Sequence, residues 1–423
     1  MGSVNVRKRG SIYQYYFEAA HINGKRKQIS KSGFKTKSEA LEEGNIAYTE
    51  YITTGLDFKE NNISYSDYLD YWVDNYCKTN LKYSTIQAYS TIIEKYLKPE
   101  IGMYRLSALT SVKLHSFITE LCTKHNFSRA YFLNILKVIK GSFREACNIY
   151  GFVRYNPAMT LRLPKMEKKK RNVKHVYSQE EIDKILARFK ENDTFTCAFL
   201  TACYTGMRTG EVFALTWNDI DLDNKVINVN KTVYSKLKDN KGRWYLGTTK
   251  TEGSCREIYI NETLYKALYN YKNNQNLLRK KLGSGYKKYH LETIKNKYGK
   301  IIEYKIIESK YKRKDNIDMV FTKKDGTYSG TDIIKYPFKI IHNELEIASC
   351  RFYDLRGNYA TKILRDGAEI RDVADVLGHK DIETTENYYI SSTDESRKNV
   401  TDSYENSINL DVIDEIIEYK ISI

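Results

Sequence analysis

Residues 376–390 read VLGHKDIETTENYYI, a stretch that places one histidine shortly before two adjacent tyrosines. A histidine can transfer protons near neutral pH, and a tyrosine hydroxyl can act as a nucleophile. On a helix, Tyr388 and Tyr389 point about 100° apart, so only one of them can face a given substrate atom. Taken alone, the stretch is also compatible with a helix whose tyrosines belong to a core.

Two earlier segments carry cationic residues in predicted turns. Arg208 lies in ACYTGMRTGE (202–211), where two glycines allow a sharp turn between helices. An arginine in such a turn suits bidentate binding of a phosphate. Lys250 lies in TKTEGSCREIYI (249–260), in a turn between two predicted strands, from which a flexible ammonium could reach a leaving oxygen.

A third segment, YDLRGNYAT (353–361), is predicted to be helical. Tyr353 and Arg356 are three residues apart, so both face one side of that helix. Singly, these segments have ordinary explanations as a turn arginine, a hairpin lysine or a helix salt bridge. Their combination and order are what carry a functional interpretation.

Together the four segments resemble the tyrosine recombinase (phage-type integrase) family, in particular the integrases of Gram-positive phages, integrative conjugative elements and conjugative transposons. That family carries an arginine in a TGxRxGE turn, a lysine in a β-hairpin, an HxxR helix, an LGH segment and a nucleophilic tyrosine nine or ten residues later. The resemblance covers nearly the whole chain. It implies a mainly helical α+β fold with a small β-sheet-plus-helix arm-binding domain, a helical core-binding domain and a mixed α/β catalytic domain.

The resemblance also implies a role for each matching residue. Arg208 and Arg356 would hold the non-bridging oxygens of the scissile phosphate, and Glu211 would orient Arg208. Lys250 would be the general acid for the departing 5′ oxygen, and His379 would hydrogen-bond the phosphate and assist proton transfer. The nucleophile would form a 3′-phosphotyrosyl bond that conserves the bond energy. We therefore expect no ATP, no other cofactor and no metal.

Two points of the match stay open. Tyr353 stands where the family has histidine, and a tyrosine with a pKa of about 10 donates a hydrogen bond but transfers protons poorly near neutral pH. The spacing after His379 allows either Tyr388 or Tyr389 as nucleophile. We assign Tyr389, because the frame TTENYYI resembles the ten-residue variant of the family.

The distribution of charge indicates a nucleic-acid partner. The 423 residues carry 69 Lys and Arg against 53 Asp and Glu, a net charge of +16, which a Lys-rich proteome alone could produce. The bases are segregated, however, because residues 1–37 hold nine of them against one acid, Glu18. Such patches bind DNA phosphates. The predicted DNA-binding residues are Arg7, Lys8, Arg9, Lys25, Arg26, Lys27, Lys168, Lys169, Lys170 and Arg171.

Local patterns give domain boundaries. Residues 11–35 alternate as strands around an Asn23-Gly24 hairpin turn, and a helix capped by Ser38 follows. Later segments include a helical block, a capping box formed by Ser178 and Glu181, and a Lys/Tyr-rich insertion or helical hairpin at 272–315. We predict an arm-type DNA-binding domain (1–60), a helical core-binding domain (64–165), a basic linker (166–176), a catalytic domain (177–395) and a tail (396–423).

Several classes of protein are disfavoured by the sequence. It has no run of eighteen apolar residues and no apolar region near its start, so we expect neither a membrane segment nor secretion. The seven cysteines are scattered without a CxxC pair, and no histidine is paired at a metal-ligand spacing. We expect a cytoplasmic, nucleoid-associated protein.

The expected function is site-specific recombination that integrates and excises a mobile element. The expected partners are double-stranded DNA attachment sites of core and arm type, further protomers in a homotetramer on DNA, and an accessory excision or bending factor. A host chromosome-dimer resolvase is one alternative, although such enzymes usually lack an arm domain. A catalytically inactive DNA-binding regulator on the same scaffold is another, and Tyr353 slightly favours it.

Overall fold

The computed structural model describes residues 4–22, 25–54, 63–165, 175–236, 243–248, 255–295, 299, 301–309, 315–347, 350–379 and 381–389. The chain divides into two compact units, Met1–Lys170 and Arg171–Ile423. The first unit contains two separate hydrophobic cores, and the second contains one large core and one small cluster. Among the described helices, none is both long enough and apolar enough to cross a membrane.

The N-terminal sheet has three antiparallel strands in the order β1-β2-β3 and packs on helix α1. Alternate residues of β2, Tyr15 and Phe17, are buried against Ala40 of the helix. The predicted sheet-plus-helix arrangement is confirmed. The first strand, Asn5–Arg9, was not predicted, because most of its residues are charged. The elements are β1 (Asn5–Arg9), β2 (Ile12–Ile22), β3 (Lys25–Phe34) and α1 (Lys37–Thr54).

The predicted cap Ser38 is wrong, because helix α1 begins at Lys37, before that residue. The Thr36 hydroxyl accepts a hydrogen bond from the Glu39 amide at 3.1 Å, and the Glu39 carboxylate accepts one from the Lys35 amide at 3.0 Å. This reciprocal pattern satisfies amides at the helix start. The predicted hairpin turn at residues 23–24 lies outside the described residues, between paired Ile22 and Lys25.

The second core of this unit is built mainly by helices, as predicted. Ser64, Thr110 and Ser128 each cap a helix with the side-chain oxygen. Two π-helical turns, at Val73–Cys77 and at Ile93–Leu97, join consecutive α-helical segments. The helices are α2 (Tyr65–Trp72), α3 (Lys78–Asn80), α4 (Tyr83–Ile92), α5 (Lys98–Ile101), α6 (Ser111–Lys124) and α7 (Arg129–Asn148).

The second unit combines helices with two antiparallel sheets of order β4-β5-β8 and β11-β9-β10-β7-β6. Its first helix starts with the predicted capping box of Ser178 and Glu181. The helices are α8 (Gln179–Arg188), α9 (Asp193–Thr205), α10 (Thr209–Val212), α11 (Glu262–Leu282), α12 (Lys335–Asn343), α13 (Asp354–Arg365), α14 (Ile370–Leu377) and α15 (Ile382–Tyr389). The strands are β4 (Ile220–Asp221), β5 (Val226–Val229), β6 (Lys231–Ser235), β7 (Trp244–Thr248), β8 (Arg256–Tyr259), β9 (Tyr289–Lys295), β10 (Ile301–Glu308) and β11 (Asn316–Ile317).

The helical hairpin predicted for residues 272–315 is wrong beyond Leu282. Strands β9 and β10 pair there instead and extend the larger sheet. Their alternation was hidden because buried positions of β10 hold the polar residues Glu303 and Lys305. Glu303 is satisfied by the Tyr234 hydroxyl and by an ion pair with a neighbouring lysine, so burial of this carboxylate is compensated.

Candidate active site

A left-handed turn brings Arg208 out of the end of α9. Gly206 has φ of 59°, and a Cβ there would lie 2.7 Å from both Tyr359 Cδ1 and Leu377 Cδ2. Glycine meets both demands, because it tolerates this φ and adds no side chain. The chain then turns so that Arg208 becomes the residue before the first turn of α10.

Glu211 holds Arg208 by two contacts. Its Oε1 accepts a hydrogen bond from the Arg208 Nη1 at 2.7 Å, and its Oε2 accepts one from the Arg208 amide at 3.0 Å. The Arg208 Nη2 donates to the Gly378 carbonyl at 2.9 Å. The contact expected between Glu211 and Arg208 is therefore present, while 29% of the arginine side chain remains exposed for a ligand.

Arg356 is deeply buried, at 1% exposure, in the first turn of α13. Its Nη1 donates to the Gly206 carbonyl and its Nη2 donates to the Leu377 carbonyl, both at 2.8 Å. Burial and the neighbouring Arg208 lower the pKa of Arg356 to about 10. Within the described residues its buried Nε has no hydrogen-bond partner. Two guanidiniums whose charges repel in this way would be stabilised by a bound anion.

Arg256 is a third arginine of this cluster and was not among the predicted site residues. Its Nε donates to the Val376 carbonyl at 2.5 Å, and its Nη2 contacts Glu211 Oε2 at 3.0 Å. Its side chain is 7% exposed. The available signal was strand alternation, because Arg256 begins β8 on the same face as the buried Ile258.

Three consecutive carbonyls therefore each accept a guanidinium. Val376 binds Arg256, Leu377 binds Arg356 and Gly378 binds Arg208, at the C-terminal end of α14. A helix C-terminus carries partial negative charge, so it stabilises this concentration of cations. Gly378 closes the helix with φ of 67°.

His379 follows this helix end directly. Its amide donates to the Ala374 carbonyl at 2.9 Å, and its Nδ1 shares a hydrogen bond of 2.7 Å with the Thr385 hydroxyl. Thr385 is fully buried on α15. Whichever group donates, this bond fixes the plane of the imidazole ring.

Tyr353 lies one residue before α13 instead of within it. Its carbonyl accepts a hydrogen bond from the Arg356 amide at 3.2 Å, and 43% of the residue is exposed. The side chain is thus near the arginine cluster, where it contributes to the electrostatic environment of Arg356. An exposed phenol beside two arginines can donate a hydrogen bond to an anion.

Some predicted site residues lie outside the described parts of the chain. Lys250 falls in 249–254, and the flanking strands β7 and β8 belong to different sheets instead of pairing as a hairpin. The side chains of Tyr388 and Tyr389, at the end of α15, are also outside, so the nucleophile register stays a prediction. Also outside the described residues are Lys168, Lys169, Lys170 and Arg171, together with the side chains of Lys25, Arg26 and Lys27 on β3.

Among the remaining predicted DNA-binding residues, Arg7, Lys8 and Arg9 are exposed on β1. Arg7 is held by a 3.0 Å hydrogen bond from its Nε to Gln14 and lies over the Tyr16 ring at 5.0 Å. Across the described ranges, no three His, Cys, Asp or Glu side chains are grouped as a metal site.

Three family models match successive parts of the chain and define its class. The model of the Phage integrase family matches residues 175–396, which is more than half of the chain. Models of the Arm DNA-binding domain and of the Phage integrase N-terminal SAM-like domain match residues 4–44 and 64–122. The chain belongs to the phage integrase family of tyrosine recombinases and is a site-specific DNA recombinase.

Relatives extend over most of the chain. A tyrosine recombinase XerC-like protein of Caldanaerobacter subterraneus subsp. tengcongensis is 25% identical over 379 residues, 87% of this chain and 89% of the relative. The ICEBs1 integrase of Bacillus subtilis is 25% identical over 74% of this chain and 75% of its own length. Both relatives carry the names of recombinases or integrases, in agreement with the family.

Solved structures agree in fold. The Tn1549 transposon integrase in complex with a circular intermediate DNA has a TM-score of 0.61 at 16% identity, covering 81% of this chain and 99% of that one. A lambda integrase tetramer bound to a Holliday junction has a TM-score of 0.52 at 15% identity, covering 91% and 94%. At these identities the likeness concerns the fold alone.

Proposed function

We propose that this recombinase integrates and excises its element by cutting DNA through a 3′-phosphotyrosyl intermediate. The observation that carries the proposal is the convergence of Arg208 and Arg356 on neighbouring carbonyls beside His379. Two buried or half-buried guanidiniums of like charge are arranged to receive a phosphate. The named activities of the ICEBs1 and Tn1549 integrases support the biological context.

In the proposed reaction the arginines bind the non-bridging oxygens of the scissile phosphate. The Tyr389 oxygen attacks phosphorus, a tyrosyl ester bond to phosphorus forms, and the bond to the 5′ oxygen breaks. Lys250 gives a proton to that leaving oxygen, and His379 hydrogen-bonds the phosphate and accepts the proton that the Tyr389 hydroxyl loses. Attack by a 5′ hydroxyl from another strand reverses these steps and rejoins the DNA.

Tyr353 is proposed to donate a hydrogen bond to the phosphate in place of the family's histidine. Its exposure and its proximity to Arg356 support this role. The phenol hydroxyl can donate a hydrogen bond, so it can stabilise charge on the phosphate without serving as the base. His379 is then the imidazole that remains for proton transfer.

The proposed partners are duplex DNA sites of arm and core type. Exposed Arg7, Lys8 and Arg9 on β1 support contact with arm DNA, because a β-sheet fits the major groove. We propose a homotetramer on DNA, as in the lambda integrase tetramer bound to a Holliday junction, assisted by a bending or excision factor. Deletion of residues 1–60 should abolish arm-site binding and leave weak cleavage at core sites.

The deciding experiment is trapping on a nicked suicide substrate, from which the cleaved strand cannot be rejoined. We expect a covalent protein–DNA complex linked through a 3′ phosphate, formed equally in EDTA. Binding to attachment-site DNA without any covalent complex would instead identify the inactive regulator. Strict dependence of cleavage on Mg²⁺ would contradict the side-chain mechanism.

A further inference from the structure

Arg256 lies inside the active-site cluster without contributing to any step described above. It starts β8, is 7% exposed, and makes hydrogen bonds to two different elements, the Glu211 carboxylate and the Val376 carbonyl. A buried guanidinium is costly unless it is paired and hydrogen-bonded. The burial of Arg256 therefore calls for a role in the fold or in the reaction.

We propose that Arg256 is a positioning residue for DNA cleavage, which holds Glu211 for Arg208 and holds the Val376 carbonyl for the turn that carries His379. This inference rests on the proposed function. It assigns Arg256 no direct contact with DNA.

The first half of the proposal concerns Glu211, which is 3% exposed. Its Oε1 binds the Arg208 side chain, while its Oε2 binds both Arg256 and the Arg208 amide. Burial raises the pKa of Glu211, yet Arg256 and then Arg208 outweigh it, so the pKa lies below its ordinary value. Arg256 therefore keeps the carboxylate charged and fixes the oxygen that Arg208 does not bind through its side chain.

The second half concerns the end of α14. Arg256 Nε binds the Val376 carbonyl, and a Cβ at Gly378 would lie 3.2 Å from Arg256 Nη1. The guanidinium thus packs against the turn that connects Val376 to His379. The carbonyls of Leu377 and Gly378 hold the two arginines proposed to bind the phosphate. A shift of this turn would therefore displace both Arg208 and Arg356.

The contacts of Arg256 favour positioning over direct phosphate binding. Its Nε and Nη2 are engaged by protein oxygens, and little of the side chain is exposed. Arg208 differs in this respect, with 29% of its side chain exposed. Arg356 is even more buried than Arg256, at 1% exposure, but its Nε has no hydrogen-bond partner within the described residues, whereas the Arg256 Nε donates to the Val376 carbonyl. The chain thus separates the arginines that bind the phosphate from the one that arranges them.

The test compares Arg256→Gln and Arg256→Lys with wild type on the suicide substrate, measuring DNA affinity, melting temperature and the single-turnover rate of covalent complex formation. We expect DNA affinity to change little and the cleavage rate of Arg256→Gln to fall roughly 100-fold, since small misplacements of catalytic groups cost about this much. Arg256→Lys keeps the charge but cannot make both contacts, so its rate should be intermediate. Arg188→Gln is the control, because Arg188 binds Glu344 at the surface.

A double-mutant cycle with Glu211→Gln separates positioning from general support of the fold. If Arg256 acts through Glu211, its loss should matter much less in the Glu211→Gln background. Equal effects in both backgrounds, or wild-type cleavage by both Arg256 variants, would overturn the proposal. Cleavage by wild type in the same assay reports separately on the proposed function, so the two can fail independently.

Discussion

The Nδ1 of His379 lies 2.7 Å from the hydroxyl oxygen of Thr385, a fully buried residue on α15. Thr385 stands four residues before Tyr389, so one helical turn separates it from the predicted nucleophile. Packing of α15 and orientation of the imidazole are therefore linked by one hydrogen bond. If α15 moved away from the rest of its unit, the hydrogen bond between His379 and Thr385 would break.

The first prediction is that Thr385→Val slows cleavage about fivefold, because one hydrogen bond contributes about 1 kcal/mol. DNA binding should remain normal, and Thr385→Ser should restore most of the rate. Thr201→Val is the matched control, since the Thr201 hydroxyl bonds the Cys197 carbonyl within α9. The single-turnover rate against pH measures the effect, and an unchanged profile in Thr385→Val would refute the link.

The second prediction concerns the nucleophile. Tyr389→Phe should bind DNA as wild type does and form no covalent complex, because it lacks only the attacking hydroxyl. Tyr388→Phe should keep most activity, since adjacent helical residues point about 100° apart. Denaturing gels of the trapped complex give the answer. The reverse pattern would shift the nucleophile by one residue.

The third prediction concerns acid stability. The pKa of Glu211 lies below its ordinary value of 4.5 because Arg256 and Arg208 outweigh the effect of burial. Its stabilising contribution is therefore complete above about pH 4.5 and is lost as the pH falls through the folded-state pKa. Glu211→Gln should cost about 2 kcal/mol at neutral pH, in line with hydrogen bonds to charged groups.

Because glutamine does not titrate, this variant should also lose less stability than wild type on acidification. Urea unfolding at neutral and acid pH measures both effects. Glu344→Gln is the control, as its pair with Arg188 is half exposed and should contribute little. Parallel pH curves for wild type and Glu211→Gln would contradict the prediction.

The fourth prediction uses two glycines with the same backbone angle. Gly206 and Gly151 both have φ of 59°, but a Cβ at Gly206 would collide with Tyr359 and Leu377, whereas one at Gly151 would meet nothing within 4 Å. Gly151→Ala should cost about 1 kcal/mol for the left-handed conformation alone. Gly206→Ala should cost several kcal/mol in thermal unfolding and should also impair cleavage, because the Gly206 carbonyl binds Arg356. Equal losses would show that the collision is relieved.

Local structural features could be predicted from the sequence. The Ser178 capping box and the turn before Arg208 depend on neighbours in the chain, and the structure contains both. The family followed from the order of four motifs and is confirmed. These features need no knowledge of distant contacts.

The remainder required tertiary structure. Arg256 belongs to the site only because β8 and the end of α14 meet there, 120 residues apart in sequence. Strand β10 was concealed because its buried Glu303 is compensated by residues of another strand. Periodicity records hydrophobicity, so it cannot reveal a polar residue buried by partners from elsewhere.

The three carbonyls at the end of α14 also set the order in which the protein becomes active during synthesis. The ribosome produces Arg208 and Arg256 long before Val376, Leu377 and Gly378, to which the cluster is bound. A nascent or prematurely terminated chain that lacks α14 contains the segments matched by the arm DNA-binding and SAM-like domain models, but not the carbonyls that hold the three arginines. Under the proposed mechanism such a chain would bind DNA without cleaving it, and cleavage would begin only after nearly the whole polypeptide had been translated.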